Sequence, residues 1–356
     1  MAPPFVRPIV RAMDGYTPGE QPSAGQRVVK LNTNENPFPP SPAVLKAVRE
    51  IESEHLRRYP NSAADAFRNA AAQMLGVTPE MIITGNGSDD VLAVAMLSFL
   101  SPGDTLAYPD PTYSLYPVMA ELDEVKIAPV PWERDWALPT DALLAAKPRA
   151  IFLANPNAPS GTFVSPQRIE ELLKKFSGLL LVDEAYVEFA DDNCLPLIRD
   201  YENIVITRTL SKAYSLAGLR FGYGVGRPDV IREMNKARDS YPCDAISIVA
   251  ATAAIGDQEY AKKTWDHVRA ERQRVSSELT QMGWKVLPSH ANFIFAAAPD
   301  GRGREAYLGL KRQGILVRHF DKPGMADKIR ITIGTSQENN ALLGGIKNLT
   351  AAEKAA

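Results

Sequence analysis

Leu179-Leu180-Leu181-Val182-Asp183-Glu184-Ala185-Tyr186 begins with four large apolar residues in a row and then breaks into charge. A strand with one wet face alternates apolar and polar residues, so an unbroken apolar run describes a strand covered on both sides. Ala150–Ala154 and Ile204–Thr207 read the same way. Further runs at Met81–Thr84, Thr105–Tyr108, Val125–Val130 and Phe221–Val225 complete a set of seven expected strands. Helical patterns at Ser88–Leu100, Pro166–Phe176 and Pro228–Arg238 lie between them. Strands alternating with helices predict an α/β fold with a mostly parallel central sheet and helices on both faces.

Toward the ends the rhythm changes. Residues 1–40 are rich in Pro and Gly and read as an extended arm that completes part of a smaller domain. Ser41-Pro42 is a good helix start, with Val44, Leu45, Val48 and Ile51 expected on one face. Residues 41–245 are then the large domain. From 246 to 356 a long helix near Tyr260–Met282 precedes Trp284–Leu287, Phe293–Ala297, Ile315–Arg318 and Ile329–Ile333, which predicts a small α+β domain.

Composition narrows the possible activities. The chain has 356 residues, with 40 basic and 42 acidic side chains and a net charge of −2. That balance argues against a nucleic-acid partner, which favours a basic face. Cys194 and Cys243 are too few for a disulfide framework and are expected to be reduced. His55, His267, His290 and His319 are scattered, so no metal site is expected. The longest apolar stretch, Val91–Leu100, is far short of a membrane span, and the N-terminus lacks a signal-peptide core. The expectation is a cytoplasmic protein with small-molecule substrates.

In an open parallel sheet, ligands bind beyond the carboxyl ends of the strands, and unusual polar residues follow three of them here. Gly85-Asn86-Gly87-Ser88-Asp89 is a tight turn running into a helix start, an anion site suited to phosphate or else a purely structural turn. Asp183 follows a buried run; it is either a cap or ion-pair partner, or the partner of a protonated heterocyclic nitrogen. Lys212, in Arg208-Thr209-Leu210-Ser211-Lys212-Ala213-Tyr214, either snorkels to solvent or sits in a pocket that lowers its pKa for Schiff-base chemistry. A phosphate cradle, an acid for a ring nitrogen and an activated lysine are together what pyridoxal 5′-phosphate requires.

These motifs carry a resemblance. The chain resembles the fold-type-I pyridoxal-phosphate aminotransferases and, within them, the histidinol-phosphate aminotransferase family. Leu31-Asn32-Thr33-Asn34-Glu35-Asn36-Pro37, Arg58-Tyr59-Pro60, Pro111-Thr112-Tyr113, Asp183–Tyr186, Thr209–Lys212, Ala217–Arg220 and Ile329–Thr335 follow in family order. The resemblance implies that Lys212 carries the cofactor and shuttles a proton, Asp183 holds its ring nitrogen protonated, Tyr186 bonds its ring oxygen and Tyr113 stacks on the ring. Ser88, Asp89, Ser211 and Arg220 would hold its phosphate, joined by Tyr59 from a second subunit of a homodimer. Arg330 and Arg318 would bind substrate anions, helped by Tyr16; an edge-strand surface pair is the other reading of Arg318.

One position departs from the pattern. Where the family has a second asparagine that donates to the ring oxygen, this chain has Ala158, in Asn155-Pro156-Asn157-Ala158-Pro159-Ser160-Gly161. Either Asn157 takes over or Tyr186 holds that oxygen alone. The implied activity is amino transfer between L-histidinol phosphate and 2-oxoglutarate, giving imidazole acetol phosphate and L-glutamate in histidine biosynthesis. An aromatic-amino-acid aminotransferase and a threonine-phosphate decarboxylase-like lyase share these motifs and are the alternatives.

Overall fold

Leu179–Asp183 is the central strand of a seven-stranded sheet. The order is Ile82–Gly85, Gly222–Val225, Ile204–Thr209, Leu179–Asp183, Ala150–Ala154, Thr105–Asp110, Lys126–Pro131. The computed structural model describes residues 3–23, 25 and 27–355. Gly222–Val225 runs antiparallel to both of its neighbours, and the remaining pairs are parallel. The three unbroken apolar runs form the three middle-most buried strands, every residue of which is buried. Their alternate side chains divide between two cores: Ile151, Leu153, Leu180, Val182, Ile204 and Ile206 on one face, Phe152, Leu181 and Val205 on the other. Burial on both faces is why polar alternation is missing from these segments.

The helices begin where sequence punctuation asks them to. Ser41 accepts a hydrogen bond from the Ala43 N–H ahead of Pro42–Arg49, and Ser165 caps Pro166–Leu173 in the same way. Pro at the first helical position lacks the N–H that would otherwise be orphaned. Of the apolar face expected after Ser41, Val44 is buried, but Leu45 is 44% exposed. Ile51 lies beyond the helix, which stops at Arg49.

The second sheet is antiparallel, in the order Arg318–His319, Lys328–Thr332, Phe293–Ala297, Lys285–Val286. The single strand expected over Ile315–Arg318 divides. Ile315–Leu316 pairs in parallel with Val29–Lys30, and after Val317 the chain joins Lys328–Thr332 instead. The N-terminal arm is likewise not wholly extended: Pro8–Ala12 is a short helix started by its proline, and Val29–Lys30 is a strand. The helix Ala245–Gly256 packs on Pro42–Arg49 and Asp65–Leu75, and the long helix Gln258–Gln281 follows it. Both cysteines are free and buried. Among the described residues no helix is long and apolar enough to cross a membrane.

The core predicts a contrast in stability. Leu181→Ala, in the central strand, is expected to cost about 2–5 kcal/mol, whereas Leu45→Ala is expected to cost less than about 0.5 kcal/mol. Urea unfolding followed by circular dichroism measures both; equal costs would contradict this packing.

Candidate active site

The strands ending at Gly85, Asp110, Ala154, Asp183 and Thr209 all finish at one edge of the large sheet, and the antiparallel strand starts there with Gly222. Asp183 is buried at this edge. Its Oδ2 accepts from Tyr116 Oη at 3.0 Å, and its Oδ1 accepts from Thr207 Oγ1 and the Ala185 N–H, both at 3.2 Å. Among the described residues no cation pairs with it. Burial pushes its carboxyl up to about 6; the Tyr116 hydrogen bond opposes that rise and the charge of Asp89 adds to it.

Lys212 follows the neighbouring strand, on the short helix Leu210–Ala213, which Thr209 caps by accepting from the Ser211 N–H. Its Nζ donates to the Thr33 carbonyl at 3.1 Å. Burial, with the nearby Arg330 charge, lowers it to about 8. A lysine held there presents a substantial fraction of uncharged amine near neutral pH.

Beside Lys212 the turn before Ser88–Phe99 makes a cradle. Gly87 has φ 87°, and a Cβ on it would come within 2.7 Å of Arg220 Nη2. A Cβ on Gly222 would sit 2.2 Å from the Ser88 nitrogen, so only glycine lets that strand start against the helix N-terminus. Arg220 Nη1 donates to Ser211 Oγ and Nη2 to Asp89 Oδ2, each at 3.3 Å. Free N–H groups, an arginine and a hydroxyl thus converge at one helix start, the composition of an anion site.

Tyrosines and arginines close the site. Tyr113 Oη donates to Asp89 Oδ1 at 3.1 Å, and its ring meets Tyr16 edge-on at 6.1 Å. Tyr186 Oη accepts from Asn34 Nδ2 at 3.0 Å, and its ring lies against Phe293. Arg330 Nη2 donates to the Asn32 carbonyl at 3.1 Å, its buried Nε has no partner, and its guanidinium lies over Phe293 and Phe320. Burial lowers its pKa, and the Arg318 charge adds to that. Arg318 is directly opposite it in the strand pairing and spends its two terminal nitrogens on the Thr17 and Pro18 carbonyls.

Two expected residues stand apart. Asn157 donates to Ser160 Oγ at 2.8 Å and the Pro111 carbonyl at 3.2 Å, and accepts from Thr112 Oγ1. Both its amide protons are therefore committed to holding loops together, so it does not replace the donor missing at Ala158. Tyr59 is 80% exposed and stacks on Tyr241. Other residues were unforeseen. Tyr116, three residues after Tyr113, and Thr207, opposite Asp183 in the neighbouring strand, both hold Asp183. Thr33 acts through its carbonyl, which no side-chain pattern reveals.

Residues 26–346 match the family described as aminotransferase class I and II. The chain belongs to that family. It is 44% identical to histidinol-phosphate aminotransferase 1 of Trichormus variabilis, covering 97% of this chain and 99% of that one. It is 43% identical to the histidinol-phosphate aminotransferase of Rhodopirellula baltica, covering 95% and 93%. Among solved structures, the histidinol-phosphate aminotransferase of Sinorhizobium meliloti in complex with pyridoxal-5′-phosphate aligns with a TM-score of 0.89 and 27% identity, over 98% of this chain and 99% of that one. In this aminotransferase the edge of the large sheet is thus the candidate active site.

The buried acid gives a pH test. A carboxyl raised from 3.8 to about 6 binds more protons folded than unfolded. Its stability contribution is full below about pH 4 and is lost as pH rises through about 6. Asp183→Asn removes this titration, so in ligand-free protein the variant is expected to gain about 3 kcal/mol on wild type between about pH 4 and pH 8. Urea denaturation of both proteins measures it; a pH-independent difference would contradict the assignment.

Proposed function

We propose that this protein is a pyridoxal 5′-phosphate-dependent aminotransferase that interconverts L-histidinol phosphate plus 2-oxoglutarate and imidazole acetol phosphate plus L-glutamate, in histidine biosynthesis. The observation that carries the substrate reading is Arg330, a half-buried cation beside Lys212 whose buried Nε has no partner among the described residues, directly opposite a second arginine. Like charges paired across strands are unfavourable unless an anion joins them, and both amino donors carry an anion, a phosphate or carboxylates.

The residues fit the cofactor. The cradle at Gly87, Ser88, Asp89, Ser211, Arg220 and Gly222 suits a phosphate, and Asp183 is a buried carboxylate lacking a cation that a protonated ring nitrogen would supply. When bound, pyridoxal 5′-phosphate supplies an electron-withdrawing ring that draws off the electrons of the broken substrate bond. Asp183 would accept a hydrogen bond from the ring nitrogen and keep it protonated, while Tyr116 and Thr207 hold that carboxylate in place. Lys212 Nζ would hold the cofactor and take the proton from the substrate Cα. Tyr186 Oη would donate to the ring oxygen, and Tyr113 would pack on the ring. Arg330, with Arg318 and Tyr16 at the rim, orients the substrate anion so that the Cα–H bond faces the lysine.

Exposure of the stacked Tyr59–Tyr241 pair, next to exposed Leu56 on the preceding helix, supports a homodimer in which Tyr59 completes the partner's phosphate cradle. The division into an arm (1–40), a large domain (41–245) and a small domain (246–356) belongs to the same proposal.

The test is a pair of half-reactions with the cofactor-loaded enzyme. L-histidinol phosphate is expected to bleach the cofactor absorbance and 2-oxoglutarate to restore it, with Lys212→Ala inactive. Faster bleaching by L-phenylalanine would favour aromatic transamination, and carbon dioxide release from a phosphorylated amino acid would favour the lyase. Arg330→Leu, which removes a charge-assisted contact, is expected to lower kcat/KM for both amino donors by at least about tenfold. Sedimentation equilibrium is expected to give a dimer; a monomer would contradict the Tyr59 role.

A further inference from the structure

Ala158 offers only a methyl group, packed against Ala291, Phe293 and Tyr186. The Tyr186 hydroxyl is then the remaining donor on that side of the site, and its usefulness depends on where its single proton points. A phenol that spends its proton on a neighbour has none left to donate.

The neighbour is Asn34. Its backbone is in the left-handed region, φ 57°, which asparagine tolerates better than most residues. Three bonds fix it there. Its N–H donates to Thr332 Oγ1 at 2.9 Å, its carbonyl accepts from Asn292 Nδ2 at 2.9 Å, and its side-chain oxygen accepts from Thr332 Oγ1 at 3.1 Å. The last bond decides the orientation of the carboxamide. Thr332 is buried, and turning the carboxamide over would leave the Thr332 proton without an acceptor, a costly loss in the interior. With the oxygen held by Thr332, the Asn34 NH2 group faces Tyr186 Oη, 3.0 Å away.

We propose that Asn34 is a positioning residue: oriented by Thr332, it donates to the Tyr186 hydroxyl and so directs the phenol proton into the active site. The inference rests on the reading above that pyridoxal 5′-phosphate occupies this site with its ring oxygen toward Tyr186. It assigns to Asn34 and Thr332, acting through Tyr186, a share of the electronic tuning that Ala158 cannot provide. A donor to the ring oxygen draws electron density from it and weakens its hold on the proton it shares with the Lys212 nitrogen.

The experiment is a spectrophotometric pH titration of the cofactor-loaded enzyme without substrate, reading the pKa of the Lys212-dependent absorbance. Tyr186→Phe is expected to raise that pKa by about 1 unit, the size of one lost charge-assisted hydrogen bond. Asn34→Asp, whose carboxylate captures the phenol proton, is expected to raise it equally, and the double variant no further. Thr332→Val is expected to raise it and Thr332→Ser to leave it at the wild-type value. This second pair decides the matter if Asn34→Asp does not fold.

An unmoved pKa in Asn34→Asp, additive shifts in the double variant, or equal behaviour of the two Thr332 variants would overturn the proposal. So would an unmoved pKa in Tyr186→Phe, which would still leave the cofactor reading intact. Absence of any Lys212-dependent absorbance after adding pyridoxal 5′-phosphate would overturn both.

Discussion

A carboxylate buried at the end of a wholly apolar strand, with hydroxyls around it and no cation, is the constraint on which the rest of this structure depends. The chain does supply a cation one residue further on. Glu184, equally buried, takes both Nε and Nη2 of Arg208 at 2.9 and 2.7 Å, and its other oxygen accepts the Cys194 N–H. Two adjacent acids therefore have opposite fates: Glu184 is neutralised from within, and Asp183 is left for something that arrives. Unpaired burial raises its pKa and costs stability in the ligand-free protein, a cost that a protonated ring nitrogen removes. The central position in the sheet makes this possible, because strands on both sides exclude the water that would otherwise solvate the charge.

The second requirement is a way to hold mobile functional side chains against this edge, and a short piece of backbone meets it. Leu31 accepts from the Thr332 N–H, which docks the segment on the strand that carries Arg330. Three consecutive residues then each hold one functional group: the Asn32 carbonyl takes Arg330, the Thr33 carbonyl takes Lys212, and the Asn34 carboxamide takes Tyr186. The segment joins the small sheet to the large one through the site itself. Displacing it would release the arginine, the lysine and the tyrosine together, so one stretch of backbone sets the positions of all three.

How much of this was legible in the sequence depends on the physical signal each residue leaves. Strand interiors were legible because double burial removes polar residues; Ala150–Ala154 begins and ends where the pattern places it. Asp183, Lys212 and the Gly85–Asp89 turn were legible because charge or glycine immediately after such a run is unusual. Ile315–Arg318 reads as one strand because Ile315-Leu316-Val317 is a continuous apolar run, and only the tertiary fold decides that Ile315–Leu316 and Arg318 pair with different partners. The Pro-rich arm hid a helix of one turn and the segment 31–34. Carbonyl acceptors such as Asn32 and Thr33 leave no trace in residue type at all, and Asn34 stood in a recognisable motif whose task is visible only once Thr332, almost three hundred residues later, is beside it.

The net charge of −2 conceals a local arrangement of the opposite sign. Lys212, Arg220, Arg318 and Arg330 all face the site edge, and the charges of Arg330 and Arg220 each lower the Lys212 pKa. The Arg318 charge likewise lowers the Arg330 pKa. Arg220 is partly answered by Asp89, and Arg318 by two backbone carbonyls, but among the described residues the Arg330 guanidinium meets one hydrogen-bond acceptor, the Asn32 carbonyl, and two aromatic faces. A stacked, incompletely bonded arginine keeps its planar fork available for a bidentate anion. Binding such an anion would relieve the repulsion and let the Lys212 pKa rise again. The protonation of Lys212 is thereby tied to the charge at Arg330: an anion brought to this arginine would offset the charge that lowers the lysine.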